Sequence, residues 1–468
     1  MKKIKVNPDK IRYLVLEGGG GKGMIYKGMV DALETIKNSK GVPLLPIKFN
    51  TSNRQILGIA GASAGAITAL SLAIGMSLKD IKEATDGDKL NQFKKSFSTN
   101  KYRALGYNNK YYEKEIKSKD ISVKDLAKML FASGGEVPAV IAALILKLST
   151  KEIVTTLDSR GYITGFGARL FLKNMVQKYF IDRFYTKFIN ENKDFGLPTL
   201  NAEQLTFKFF FDSTGVDVRF TGTNVTTGKP EYFSYFHTPD IPIIDAVSIS
   251  MSIPFYFKPF EIEDNAKVDI LKDKNYNKRY HGFWVDGGML NNYPIHAFDN
   301  TSLSPKGFSE KENLDNISDG FKDNVLGFRI TDGIDPALGK TEKEKMVKEF
   351  EEYNKSGGAL SIAKEGLLSI LRNYFKPIDP FLSYVIGGKY EEDKKIKNVV
   401  GLFNTLMFPS EDGQIRTKKE KQNTIELYSG YVGLFDFTAP KRNGKTGEID
   451  LSKIPIENAK KKVKEYFL

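Results

Sequence analysis

A chain of 468 residues, 41% hydrophobic and 27% charged, holds enough apolar material for a large core and is neither disordered nor fibrous in composition. It has no cysteine, which excludes disulfides, a thiol nucleophile and thiolate metal sites. The formal charge of +13 favours a polyanionic partner, either nucleic acid or an anionic membrane face.

No zinc-finger spacing, RNP-like aromatic pattern or long Arg-rich arm is present, so nucleic acid is not expected as a partner. The basic residues are mostly Lys with acids between them, a pattern that also fits an ordinary solvated surface. The stretch from Met1 to Pro8 is basic and lacks the apolar run of a signal peptide. The longest apolar run, Val137 to Leu148, is shorter than the roughly 20 residues that span a bilayer. The expectation is a chain that is cytoplasmic and soluble as synthesised, with peripheral membrane association; signal-independent secretion would leave no mark.

In chain order, Ile11 to Leu16 reads as a strand that stops at the glycines Gly18 to Gly21. A helical pattern follows, with Met24, Met29, Ala32, Leu33 and Ile36 at helical spacing. Gln55 to Ala60 reads as a second buried strand, Gly61-Ala-Ser-Ala-Gly65 as a tight turn, and Ala66 to Ile74 as a helix. Strand, glycine turn, helix, repeated, predicts a parallel sheet flanked by helices. From Asp80 to Lys128 the chain is polar, with Tyr107, Tyr111 and Tyr112 interleaved, and reads as helices and long connections. Val137 to Leu148 reads as a buried or amphipathic helix, either core or a lid near the site.

Leu205 to Phe211 and Asp217 to Asn224 read as strands, and Ile243 to Met251 as a helix ending before Pro254. Gly282 to Val285 is a strand that runs into Asp286-Gly-Gly, which places the carboxylate on an exposed turn. Val325 to Ile330 is another strand. Residues 336–422 are charged and mostly helical in pattern; Thr424 to Tyr428 and Val432 to Phe437 look like strands. A basic closing helix sets Ile456, Ala459, Val463 and Phe467 near one face. No repeat or low-complexity linker appears. The reading is one domain with insertions: a core of about 10–335 plus 423–468, an apolar helical insertion near 128–151 and a charged one near 336–422.

Three pieces carry chemistry. Gly61-Ala-Ser63-Ala-Gly65 fits a nucleophile elbow, where a serine sits on a strained strand-to-helix turn and its neighbours must be small. The run Glu17-Gly-Gly-Gly-Gly-Lys22-Gly23 lets backbone amides converge on an anion. Gly23 and Met24 spoil a Walker loop, while Gly18, Gly20 and Gly23 formally satisfy a dinucleotide fingerprint. The oxyanion-hole reading of these glycines also accounts for Ser63 and is preferred. Asp286-Gly287-Gly288 puts a carboxylate at the end of a strand. The three histidines, His237, His281 and His296, sit in no triad motif. A serine–aspartate pair is therefore the better candidate, the carboxylate taking the hydroxyl proton.

In order and form, these pieces resemble the patatin-like phospholipases: a Gly-rich loop with Lys or Arg, then Gly-x-Ser-x-Gly, then Asp-Gly-Gly. Asp245 to Pro259, Thr223 to Pro230, Asp286 to Pro294 and the chain's tail are similar to further segments of that family. The resemblance implies a three-layer α/β/α fold with a mostly parallel central sheet. It implies a Ser63–Asp286 dyad and an oxyanion hole from the amides of Gly19, Gly20 and Gly21, with Gly18, Lys22, Gly23, Gly61, Gly65, Gly287 and Gly288 as motif support. It also implies hydrolysis of fatty-acyl esters of membrane phospholipids, of phospholipase A or lysophospholipase type, through an acyl-enzyme and without a catalytic metal or cofactor. Anionic membrane phospholipids are the expected partners, with a protein activator as a further candidate. Glu17 departs from the family's commoner Asp. The alternative is a catalytically silent lipid-binding module that keeps the pocket.

Overall fold

The computed structural model describes residues 6–49, 54–85, 101–115, 164–191, 198–253, 257–267, 279–299, 324–355, 418–433, 441–444 and 447–467. The first unit is β1 (Tyr13–Leu16), a 3-10 turn (Gly20–Ile25) and α1 (Tyr26–Thr35); the second is β2 (Gly58–Gly61), α2 (Ala64–Ala73) and α3 (Leu78–Thr85). β3 (Lys101–Leu105) and β4 (Tyr111–Glu115) follow, then α4 (Phe166–Val176), which continues as a π-helix (Gln177–Tyr185). Next come α5 (Phe207–Thr214), β5 (Asp217–Asn224), β6 (Lys229–Ser234), α6 (Ile243–Ser250), β7 (Phe260–Ile262) and β8 (Gly282–Asp286). The chain ends with β9 (Val325–Thr331), α7 (Lys340–Lys355), β10 (Thr424–Tyr428), a small ribbon of β11 (Lys441–Gly444) and β12 (Gly447–Asp450), and α8 (Lys453–Phe467).

Among the described residues, one mixed sheet runs β10-β9-β1-β2-β5-β8-β7-β3-β4, with β6 also on β5. β10, β9, β1, β2 and β5 are mutually parallel, as expected from two strand–turn–helix units. Side chains alternate across the sheet: Leu14, Leu16 and Ile59 join the main core beneath α1, α2 and α6. Val15 and Ala60 point the other way, against Tyr293, Ile295 and Phe298. Burial on both faces explains why β1 reads as an unbroken apolar run. β10 closes one edge after the charged segment, pairing in register with β9 from Thr424 on Gly327 to Tyr428 on Thr331.

Two stretches depart from the sequence reading. Leu205 to Phe211, expected as a strand, is mostly helix. Thr206 caps α5 by accepting from the Phe209 amide at 3.2 Å, and Gly215 ends it at φ +66. Between these stops Phe207 and Phe210 are buried one helical turn apart, and that periodicity wins over the strand propensity of four phenylalanines. Residues 101–115, expected as helices and connections, instead form the antiparallel pair β3–β4 at the sheet's edge. There Tyr102 and Ala104 are buried, and Lys114 bridges Glu261 and Glu263 of and beside β7 at 3.0 Å each. The apolar run Val137 to Leu148, the insertion near 128–151, residues 356–417 and residues 434–437 lie outside the described residues; Val432 and Gly433 are not in a strand. No helix among the described residues is long and apolar enough to cross a membrane.

Candidate active site

β5 organises the site. Its residues from Arg219 to Asn224 pair with β6 along one edge, so β2 and β8 must share the other. β2 pairs there as far as Gly61 on Phe220. β8 arrives from the opposite direction and pairs as far as Asp286 on Gly222. Two strands thus end almost head to head, two residues apart along β5, or about 7 Å. The turn after each strand carries one polar side chain into the gap: Ser63 after β2 and Asp286 at the tip of β8. Ser63 Oγ donates to Asp286 Oδ2 at 2.7 Å.

Ser63 has φ +50 and ψ −122, a conformation that costs a side-chain-bearing residue about 1–3 kcal/mol. Its neighbours explain how the turn is held. A Cβ on Gly61 would strike the Gly65 carbonyl, and one on Gly65 would strike the carbonyls of Leu16 and Glu17. Both contacts are with backbone, so neither side can yield. Ser63's own amide donates to Ser250 Oγ at 3.0 Å. α2 then starts at Ala64, directing its N-terminal amide dipoles toward the serine.

The sequence places Asp286 on an exposed turn; in the structure it is buried at 2% exposure. β8 lies between β5 and β7 rather than at an edge, and the turn folds back over the carboxylate. Asp286 Oδ1 accepts from the Gly288 amide at 2.7 Å, and its own amide donates to the Ser252 carbonyl at 2.9 Å. Burial raises its pKa to about 7, against the pull of the Ser63 hydroxyl and the Gly288 amide toward the charged form. Gly287 packs on Thr221 and Gly288 on Asn292 Oδ1 and Asp286 Oδ1. A carboxylate this basic, on a hydroxyl at 2.7 Å, has the geometry for proton transfer.

The glycine loop lies over the same gap. A Cβ on Gly18 would meet Ser63 Cβ at 2.9 Å, and one on Gly23 would meet Ala64 Cβ at 2.8 Å. Gly20, at φ +53, opens the 3-10 turn, and the first amides of such a turn have no partner within it. Gly20 and Gly21 line the cleft beside Ser63, whereas Gly19 lies behind them against Ile330. Glu17 anchors the loop: its Oε2 accepts from the Ile330 amide at 2.7 Å, which ties β1 to β9. Lys22 points away from Ser63 to pair with Asp332.

Other contributors lie in the segments Asp245 to Pro259 and Asp286 to Pro294, or, like Arg103, outside any motif. Asn292 accepts from the Gly18 amide at 3.0 Å through its carbonyl, and its side chain donates to the Gly18 carbonyl at 3.2 Å. Ser250 and Ser252, at the end of α6, hold the amides of Ser63 and Asp286 respectively. Arg103 of β3 is fully buried and donates to Ser252 Oγ, and at 3.2 Å to the carbonyls of Ser248 and Lys258. A seryl pair two residues apart was a legible signal; Arg103, in a polar stretch, gave none. The histidines have their partners elsewhere, His237 with Ser234 at 2.6 Å and His296 with Asp299 at 2.7 Å. From Ser63 a cleft of about 970 Å³, counting its open mouth, extends along α1 and α2, closed by α3 and by Phe171, Met251, Ile253 and Phe257, and is lined mainly by apolar side chains.

Over 94 residues, or 20% of the chain, the sequence is 31% identical to "Probable lipid hydrolase 463L" of Invertebrate iridescent virus 6. That match spans only about a quarter of the viral protein's own length, 27%. Similar solved structures include VipD from Legionella pneumophila, at 17% identity and TM-score 0.39 over 100% of this chain and 71% of VipD. They also include full-length ExoU of the Pseudomonas aeruginosa type III secretion system, solved with SpcU, at 18% identity and TM-score 0.27 over 74% of this chain and 48% of that one. The family model described as Patatin-like phospholipase matches residues 14–299, from β1 through the Asp286 turn, and the chain belongs to the patatin-like phospholipase family.

Proposed function

We propose that the chain is a serine-dependent lipid acyl hydrolase of phospholipase A or lysophospholipase type, working through Ser63 and Asp286. The observation that carries this reading is the 2.7 Å hydrogen bond from Ser63 Oγ to a buried, basic carboxylate at the head of an apolar cleft. Ser63 Oγ attacks the acyl carbonyl as Asp286 takes its proton. The amides of the Gly19 to Gly21 loop, Gly20 and Gly21 foremost, and the start of α2 face the developing oxyanion. Asp286 returns the proton to the leaving alkoxide, which departs as the alcohol, and the acyl group stays on Ser63. A water then attacks that ester, Asp286 taking its proton, and the fatty acid leaves with Ser63 restored.

The substrate lies in a membrane, and the chain's surplus of +13 favours an anionic surface and peripheral binding there. The β9–β10 pairing on the far side of residues 336–422 supports one catalytic domain, of about 10–335 plus 423–468, into which the segments near 128–151 and 336–422 are inserted. The test is mutational. Ser63→Ala and Asp286→Asn each abolish release of fatty acid from mixed phospholipid vesicles, and a fluorophosphonate probe labels wild type but not Ser63→Ala. Full activity in either variant removes the dyad. Wild type that binds vesicles, resists the probe and releases nothing is instead a silent lipid-binding module.

A further inference from the structure

We propose that the acyl chain of the substrate lies along α2, in the lane between α1 and α2, and that Thr68 and Thr85 set the chain length the site takes. This rests on the reading of Ser63 as the residue that accepts the acyl group. The lane begins at Ser63 and follows one face of α2 through Ala64, Ile67, Thr68 and Ser71, whose spacing of three and four residues is that of a single helical stripe. The 3-10 turn and α1 form the facing wall with Met24 and Val30. Both helices leave the site by their N-termini, since Gly23 abuts Ala64. At the far end Glu34 of α1 accepts from the Leu78 amide at 2.7 Å, which brings α3 and its lining residues Ile81 and Thr85 across the lane.

Beyond Ser63, four hydroxyls line this path and none is offered to a ligand: Tyr26 donates to the Glu17 carbonyl at 2.7 Å. Thr68 donates to the Ala64 carbonyl at 3.1 Å, Ser71 to that of Ile67 at 2.9 Å, and Thr85 to that of Ile81 at 2.7 Å. Each of these protons is used on a backbone carbonyl, so the lane presents hydrocarbon. Lys27 is the one charged side chain among its described lining residues. A strongly apolar lane headed by a nucleophile and a carboxylate fits a single alkyl chain carrying an acyl carbonyl, not a headgroup. The far wall is fixed in place: Arg183 of the π-helix grips Asp80 of α3 with bonds of 2.7 and 2.8 Å. From Ser63 to Ser71 the stripe is eight residues, about 12 Å, which holds roughly ten carbons of an extended chain. Thr68 stands a little past halfway, and Thr85 enters the lane from α3.

The experiment measures kcat/KM for p-nitrophenyl esters from butyrate to dodecanoate in wild type, Thr68→Trp and Thr85→Trp, with fluorophosphonate labelling of each. In wild type the value rises at least tenfold from butyrate to decanoate, as each added methylene finds apolar wall. Thr68→Trp lowers the decanoate-to-butyrate ratio at least tenfold. Thr85→Trp leaves the rise as far as hexanoate and lowers only the longer esters. Variants that label like wild type and keep its chain-length profile overturn the proposal. If neither tryptophan variant labels, Thr68→Ala and Thr85→Leu give the same reading, through opposite shifts of the ratio. If wild type neither labels nor hydrolyses any ester, the functional reading has failed, and calorimetry with free fatty acids tests the lane alone. Affinity that climbs with length and falls in Thr68→Trp supports the lane; flat affinity overturns it.

Discussion

β1 and β2 lie side by side and parallel, each ends in glycines and each leads to a helix, yet the two turns are opposites. After β2, the glycines clear space: Gly61 and Gly65 touch backbone on both sides so that Ser63 can hold φ +50. After β1, the glycines expose backbone: Gly20 and Gly21 line the cleft, and the loop's only long polar anchors, Glu17 and Lys22, are turned to β9 and its end. One turn holds a side chain at a strained angle and the other presents a surface of amides. The same local pattern therefore predicts different failures when glycine is lost.

Gly65→Val should break the comparison most severely. Its side chain meets the Leu16 and Glu17 carbonyls, so the loss should exceed about 4 kcal/mol, with no soluble activity; thermal unfolding within a few degrees of wild type would refute the steric account. Gly20→Ala acts on the amide surface instead. It should lower kcat by ~10²-fold, the scale of a displaced oxyanion donor, while the φ of +53 costs alanine about 1–3 kcal/mol, less than the loss in Gly65→Val. Equal damage to both would erase the distinction between the turns.

Asp286 sharpens the contrast through pH. Its folded pKa of about 7 stands above the ordinary 3.8, so the fold retains a proton that the unfolded chain releases. The resulting stability is complete below pH ~4 and is lost as pH climbs through about 7. Asp286→Asn, which cannot ionise, should gain in Tm over wild type as pH rises from 4 to 8; a constant difference would contradict the burial. In wild type, kcat/KM should climb through pH ~7 as the carboxylate forms, and a profile flat from 5 to 9 would remove Asp286 as the base. The smallest effect is expected at Glu17→Gln. An acceptor for the Ile330 amide survives, so activity should drop no more than about fivefold and stability by about 1 kcal/mol.

The parts of the site legible in sequence are those where backbone geometry dictates residue type. Gly61, Gly65, Gly287 and Gly288 are written in the sequence because nothing larger fits where they stand. Ser63 and Asp286 could be named because those glycines frame them. Arg103 was illegible for the opposite reason: its meaning comes from partners 145 to 155 positions away, and in its own neighbourhood it looks like one more surface cation. The edge pair β3–β4 was hidden likewise, since short charged strands lack the apolar alternation that marks interior ones. α5 was misread because phenylalanine favours strands, and only its two end residues told otherwise. Asp286's burial was missed because a strand's place within a sheet is a property of the whole topology.

The backbone angle at Ser63 has a consequence for how such a chain drifts over generations. Glycine adopts φ +50 freely, and serine does not. A lineage selected for a durable fold alone would accept glycine at this position and gain by it, as it would gain by replacing a dehydrated aspartate with asparagine. On the proposed reading of Ser63 as nucleophile, a serine at this angle gives up stability for turnover, and the exchange shows in one torsion angle.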